Sequence, residues 1–484
     1  MESHEDIIVA PATLSGGAIA IVRLSGMGCI ELVDGLFRAA KGGRLSDASG
    51  YTLHYGDVVD GAGGVVDDVV VSLYRAPHSY TSEDCVEISC HGSAYIVNRI
   101  IEQSLACGAR LAEAGEFTMR AFMAGRMDLS QAEAVADVIS SSSRATHHLA
   151  STQMRGGYSQ RLSELRGELI RLCSLLELEL DFSDEDVEFA DRGELNSLMT
   201  TLMDEIAVLC ESFKVGNAIK EGVAVAIVGE PNVGKSTLLN RLLGDDRAIV
   251  SSVAGTTRDT IEEVLNIDGV VYRFIDTAGL RVTSDELERI GIERTHEVIS
   301  RAQIVIQMTD VDRMKGLELL DLQVDQRLIV VVNKGDLLGG ESDGDSVGLM
   351  SGCDLSGGGS GNDSVSGDVM DIYTRERGVA DGVVLLSARD GVGVDELLSR
   401  LRSAVDLERL YGGDIVVSNA RHYGHLRDAY ESLSRARTSL AAGLSADLLS
   451  DDIRHTLHHI GSITGSITTD DILTQIFSTF CIGK

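Results

Sequence analysis

Positive charge is scarce in this chain. Lysine and arginine number 42 against 75 acidic residues, leaving a formal charge of −33 at pH 7. A protein this acidic gains little from non-specific attraction to nucleic acid, so any RNA contact has to use a local basic surface or a partner. A C-x-x-C pair is also missing. The eight cysteines (29, 85, 90, 107, 173, 210, 353 and 481) read as reduced thiols of a cytosolic protein, mostly small buried hydrophobes. No apolar run reaches membrane-spanning length. Met1 to Asp6 carry neither a basic leader nor an arginine-rich transit pattern. The expectation is a cytoplasmic protein without a membrane partner. Residues 339–381 are rich in Gly, Ser and Asp and almost devoid of large apolar side chains. Such a stretch buries too little surface to order itself, which marks a low-complexity insertion.

What is present begins with a loop. Residues 229 to 236 read Gly-Glu-Pro-Asn-Val-Gly-Lys-Ser, directly after the apolar run Val223 to Val228. A buried strand ending in a glycine-rich loop points backbone N–H groups at a polyphosphate, and the following helix adds its positive end. In such a loop Lys235 neutralises phosphate oxygens and the Ser236 hydroxyl holds Mg²⁺. Val271 to Ile275 then runs into Asp276-Thr277-Ala278-Gly279. There a carboxylate reaches Mg²⁺ through water, and the glycine N–H senses the γ-phosphate. Leu328 to Val332 is closed by Asn333-Lys334-Gly335-Asp336. Guanine presents two adjacent donors that Asp336 can accept; adenine offers no such pair. After Val383 to Leu386, the block Ser387-Ala388-Arg389 suits a backbone contact to the guanine oxygen. Four motifs in this order, each ending a strand of an alternating β/α pattern, predict a GTP-binding domain.

The hydrolytic apparatus is less direct. Many small GTPases place a water-orienting glutamine after the glycine of this second motif, but Leu280 stands here. Gly255-Thr256-Thr257-Arg258-Asp259 suits a switch loop with a Mg²⁺-ligand threonine. Asn232, inside the phosphate loop, is either a turn former or a ligand for a monovalent cation that replaces an arginine finger.

At 484 residues the chain should hold about three domains. Residues 1–118 read as α+β, with strands at Ile19 to Leu24, Val65 to Tyr74 and Cys85 to Ser89 and a helix at Tyr95 to Cys107. Residues 119–218 form the first part of a helical domain, with Leu162, Leu165, Leu169, Leu172 and Leu176 at core spacing. The GTPase domain spans 219–405, and 406–484 returns to helix. The expected fold is an α/β P-loop GTPase domain inserted into an all-α helical domain, preceded by an α+β N-terminal domain.

Both ends carry signatures. Gly465 to Lys484 close on Phe480-Cys481-Ile482-Gly483-Lys484, and Gly115-Glu116-Phe117-Thr118-Met119-Arg120-Ala121-Phe122 precede Gly125-Arg126-Met127-Asp128-Leu129. With Tyr80-Thr81-Ser82-Glu83-Asp84 and Glu87 to Gly92, these resemble the MnmE (TrmE) family of tRNA-modifying GTPases over the whole chain except 339–381. The resemblance implies a homodimer whose N-terminal domain, 1–118, binds a 5-formyl or methylene tetrahydrofolate derivative. It implies GTP hydrolysis with K⁺ and Mg²⁺. It also implies an FAD-dependent MnmG-like partner in a heterotetramer, with tRNA contacted mainly through that partner. The implied product is a carboxymethylaminomethyl or aminomethyl group on the wobble uridine.

Carried over by position, the resemblance places nucleotide contacts on Asn232, Val233, Gly234, Lys235, Ser236 and Thr237. The second group is Ser251, Ser252, Val253, Ala254, Gly255, Thr256 and Thr257, and the third Asp276, Thr277, Ala278 and Gly279. The base-recognition positions are Asn333, Lys334, Asp336, Ser387, Ala388 and Arg389. Mg²⁺ falls to Ser236 and Thr257, and K⁺ to Asn232, Ser251, Val253 and Thr256. Glu288 matches the residue that orients the hydrolytic water beside Lys235, although its charged run also reads as a solvated helix face. Folate contacts fall on Arg23, Glu87, Arg126 and Lys484. Cys481 is either packing or a thiol that takes part in the modification. Three departures stand out. Ala12 to Gly17 replace the usual Pro-Pro-Gly-Arg-Gly-Gly, Arg126 stands where lysine is common, and Ser183 follows Phe182 where proline is usual.

Overall fold

A computed structural model describes residues 6–14, 16–181, 192–244, 249–250, 263–275, 296–313, 317, 320, 322–323, 326–338, 383–405, 410–444, 446–478, 480–481 and 483. The chain forms two compact units, one of Met1–Ser140, Ala150–Ala207 and Gly424–Lys484, the other of Ser141–Leu149 and Val208–Tyr423.

The first unit opens with β1 (Ile8–Pro11), β2 (Ile19–Ser25), α1 (Cys29–Leu36), β3 (Phe37–Ala39), β4 (Thr52–Val59), β5 (Val65–Tyr74), β6 (Cys85–His91), α2 (Ala94–Ala106) and β7 (Arg110–Leu111). Their sheet runs β3-β4-β5-β6-β2-β1-β7, antiparallel except for the β1–β7 pair. Its strands alternate, as a sheet with one covered face must. Val22, Leu24, Val71, Leu73, Val86 and Ile88 point into a core with Ile30 and Val33 of α1 and Val97 and Ile100 of α2. The other face carries Arg23, Glu87 and Ser89, together with exposed Leu53, Tyr55 and Val70. The expected strands at 19–24, 65–74 and 85–89 are present, each at or slightly beyond those bounds. Strands β1, β3, β4 and β7 and the helix α1 lie outside the elements expected from the sequence.

Five helices follow: α3 (Glu116–Met123), α4 (Leu129–Ser140), α5 (Arg144–Met154), α6 (Gly157–Asp181) and α7 (Arg192–Glu221). All five leucines of α6 at core spacing are buried. In the second unit, β8 (Val223–Gly229) leads through α8 (Lys235–Leu243) to β9 (Ile249–Val250), β10 (Glu263–Ile267), β11 (Val270–Phe274), β12 (Ile304–Asp310), β13 (Arg327–Asn333), β14 (Val383–Leu385) and α9 (Val394–Ser403). Sheet order is β14-β13-β12-β8-β11-β10-β9, parallel from β14 to β11. Central strands of such a sheet are covered on both faces, which is why β8 and β12 read as unbroken buried runs. β12 was not singled out from the sequence, because it carries none of the four motifs.

The chain ends in α10 (Ala420–Ala441), α11 (Ala446–Thr464) and α12 (Asp470–Ser478). α11 packs along α6, so residues before and after the β8–β14 sheet build one helical layer. Leu473, Phe477 and Phe480 pack with Leu129 and Ala132 of α4 in a small core of their own. Cys29, Cys85, Cys90 and Cys173 are buried, whereas Cys107 and Cys481 are exposed. Burial pushes the Cys85 thiol up to about 12, as expected of a packing residue. Among the described residues no helix is long and apolar enough to cross a membrane.

Candidate functional site

β8 stops at Gly229, and the chain turns through residues 230–234 before Lys235 opens α8. Two residues in the turn take left-handed backbone. Asn232 has φ 66°, a conformation asparagine tolerates, and Gly234 has φ 101°. Gly234 is required for a second reason: a Cβ there would lie 2.1 Å from Asn333 Nδ2. The first N–H groups of α8 and the helix dipole therefore face the loop, with Ser236 and Thr237 on the same turn. Lys235 Nζ donates to the carbonyls of Gly229 at 2.7 Å and Glu230 at 2.8 Å. Burial lowers its pKa from the ordinary 10.5. Asn232 to Thr237 thus form one loop whose geometry suits an anion.

Asn333, at the end of β13, ties three loops together. Its Nδ2 donates to Val233 O at 2.8 Å, and its Oδ1 accepts the Ala388 N–H at 2.9 Å. Buried, it sets the spacing between the phosphate loop and the Ser-Ala-Arg block. Lys334 (φ 64°) donates from Nζ to Asp310 Oδ2 at 2.8 Å. That hydrogen bond holds the buried Asp310 carboxyl below its ordinary 3.8. Asp336 lies exposed on the 3-10 turn Gly335–Leu338, with no hydrogen-bond partner among the described residues, so its carboxylate is accessible. Ser387 Oγ donates to Asp390 Oδ2 at 2.8 Å, which closes the last loop, and Arg389 is exposed.

Asp310 is the residue that motif reading missed. A carboxylate at the C-terminal end of an apolar strand in a parallel sheet was the available signal, because ligands gather at that edge. Ser251, Ser252, Val253, Ala254, Gly255, Thr256, Thr257, Asp276, Thr277, Ala278, Gly279, Glu288 and Lys484 lie outside the described residues, as does the 339–381 insertion. Among the described residues no group of three or more His, Cys, Asp or Glu could hold a metal ion.

A second constellation sits on the first unit's sheet. Arg23 on β2 is the direct cross-strand partner of Glu87 on β6, and their side chains pair at 2.7 Å. Arg23 Nη1 also donates to Gly483 O at 3.2 Å, so residues 460 positions apart meet. Gly483 (φ 100°) presses on Pro11, where a Cβ would lie 2.1 Å from the carbonyl oxygen. The guanidinium lies 5.5 Å from the Tyr80 ring centre and 5.7 Å from that of Phe117. Burial raises the Tyr80 pKa, and its hydroxyl pairs with Thr118 Oγ1 at 2.9 Å. Arg126 is exposed, and its charge is felt at Tyr80. Cys481 is exposed beside buried Phe480, and its carbonyl accepts the Gly115 N–H at 3.5 Å. Tyr80 and Phe117 stood within the quoted signatures without a role; only the fold turns both rings towards Arg23.

Beneath this surface lies an ion network. Arg110 binds Glu116 through both terminal nitrogens at 2.6 and 2.8 Å, and Arg120 donates to Glu116 at 2.9 Å, to Glu83 at 3.2 Å and to Asp6 at 2.9 Å. Glu116 and Arg120 are 2% and 4% exposed, so this part of the signature holds the fold.

Nearly the whole chain is similar to known proteins. A family model described as the MnmE helical domain matches residues 129–481, and one described as the GTP-binding protein TrmE N-terminus matches 7–126. The tRNA modification GTPase MnmE of Bacteroides fragilis is 45% identical over 488 residues, covering 99% of this chain and 100% of that protein. Its namesake from Flavobacterium johnsoniae is 45% identical over 491 residues, covering 99% and 100%. That from Porphyromonas gingivalis is 45% identical over 491 residues, covering 99% and 98%. Matched by both family models and 45% identical to these relatives over nearly its whole length, the chain belongs to the MnmE family of tRNA modification GTPases.

Proposed function

We propose that the chain is a K⁺-dependent GTPase that acts as a homodimer with an FAD-dependent MnmG-like partner. Together they form carboxymethylaminomethyl or aminomethyl uridine at the tRNA wobble position, with a tetrahydrofolate derivative as the one-carbon source. The observation that carries this reading is the meeting of Arg23, Glu87 and the C-terminal Gly483, two aromatic rings close by. A flat heterocycle with a donor-rich edge fits a carboxylate and guanidinium flanked by aromatic faces. Glu87 would accept from that edge, Arg126 and Lys484 would meet the anionic end, and exposed Cys481 is the candidate thiol nearby. Leu53, Tyr55 and Val70 lie exposed on the same sheet face, an apolar surface suited to a second copy.

In the GTPase domain Lys235 holds phosphate charge, Asp336 accepts from guanine, and Glu288 orients the attacking water. Ser236 and Thr257 would hold Mg²⁺, and Asn232, Ser251, Val253 and Thr256 would hold K⁺. Bound there, the ions neutralise charge that develops on the transferring phosphoryl. Hydrolysis is expected to be at least tenfold faster in KCl than in NaCl, by electrostatic stabilisation of this kind. Glu288→Ala should abolish turnover while GTP affinity stays near the wild-type value. Equal slow rates in both salts would point instead to a regulatory scaffold, and loss of binding in Glu288→Ala would refute its assigned role.

The pathway is tested by mass spectrometry of wobble nucleosides in a strain lacking the protein. Modification should disappear, return with the wild-type gene and stay low with Arg23→Ala. Unchanged nucleosides in the deletion strain would discard the assignment.

A further inference from the structure

We propose that Arg313 is a positioning residue of the nucleotide site, forming with Glu230 a charge clamp on the phosphate loop that sets GTP and GDP affinity. The inference rests on the phosphate loop being the nucleotide site. Arg313 follows β12 and lies in none of the four motifs. Its Nη1 donates to Glu230 Oε2 at 2.6 Å and to the Pro231 carbonyl at 3.3 Å. Its backbone N–H donates to Asp310 Oδ1 at 3.2 Å, while Asp310 Oδ2 takes the Lys334 ammonium at 2.8 Å. One buried carboxylate therefore anchors both the arginine arm and the guanine loop.

Three consecutive loop residues are held by cations. Lys235 takes the Gly229 and Glu230 carbonyls, and Arg313 takes the Glu230 side chain and the Pro231 carbonyl. Glu230 needs such a partner, because a carboxylate in a polyphosphate-receiving loop opposes the ligand. As a folding contact the pair contributes little: its side chains are 46% and 68% exposed, and surface pairs of this kind are screened. Its effect falls on the ligand instead. Removing Arg313 uncovers a negative charge on the loop that receives the phosphates, which weakens binding roughly 3- to 10-fold at low salt, where screening is weak.

The test is fluorescence titration of the full-length chain with N-methylanthraniloyl GDP and GTP. Wild type, Arg313→Ala, Arg313→Lys, Glu230→Ala and the Glu230→Ala/Arg313→Ala double variant are compared at low and high salt. Arg313→Ala should bind more weakly by the factor above, with the loss shrinking as salt rises. Arg313→Lys should recover part of it, and the double variant most of it. In hydrolysis assays KM should rise while kcat changes little, which a merely destabilised protein would not produce. An Arg313→Ala affinity equal to wild type at low salt overturns the proposal, as does a double variant no better than Arg313→Ala. Failure of the wild-type chain to bind either nucleotide would reject the nucleotide-site reading itself, a different outcome.

Discussion

Lys235→Ala is expected to weaken GTP binding by about a hundredfold and to slow hydrolysis by ~10²–10³, with the fold intact. The ammonium already lies against the Gly229 and Glu230 carbonyls, at the mouth of the helix that receives the phosphates. Alanine keeps the helix start, since it is the best helix former, and the two exposed residues it leaves can bond to water. Nothing replaces the charge. Lys235→Arg is expected to fail as well, because a planar fork does not occupy a site shaped for a compact ammonium. Burial lowers the Lys235 pKa in the free protein, and a bound polyphosphate raises it again. Wild-type affinity is therefore greatest below the free-state value and declines as pH rises through it. The variant should lack that limb. Isothermal titration across alkaline pH checks this, and a wild-type profile no steeper than the variant's would remove Lys235 from the binding step.

Glu116→Ala should cost about 3 kcal/mol of stability in the first unit, because it removes the carboxylate that Arg110 and Arg120 share and leaves buried Arg120 only Asp6 and Glu83. In a unit of this size that is a fall in Tm on the order of 10 °C by calorimetry. Arg38→Ala removes an exposed partner of Asp57 and is expected to leave Tm almost unmoved. Burial acts to raise the Glu116 pKa, but hydrogen bonds from Arg110, the Glu113 N–H and Arg120 outweigh it, and the folded value lies below the ordinary 4.5. The folded state thus binds fewer protons than the unfolded chain near that pH. The network's contribution is complete above 4.5 and is lost as pH falls through the lowered folded value. Glu116→Ala should accordingly flatten the acid limb of the stability curve. A variant that melts with the wild type at neutral pH would mean the arginines find other partners.

Much of the site was legible because its chemistry is local. A loop between β8 and α8 has to carry glycine where the backbone turns left-handed and lysine where phosphate charge collects, so residues 229–236 announce themselves. The position of Asp336 follows in the same way from the buried strand before it, and the carboxylate lies exposed there. Asp310 and Arg313 were not, since neither lies in a contiguous motif and their roles come from strand order: β12 sits between β8 and β13, which brings its end beside two loops at once. The signature Gly115 to Phe122 marked a conspicuous segment but could not separate Glu116, which holds the ion network, from Phe117, which faces Arg23.

From the residues alone came the fold class, the nucleotide and the family, because strand-end motifs and terminal signatures are short-range patterns that survive without coordinates. The tertiary structure decided which distant groups share a surface. Arg23, Glu87 and Gly483 meet because β2 pairs with β6 while the C-terminal segment packs at Pro11. Contacts across 460 positions depend on packing of whole elements, and no local pattern in the chain encodes them.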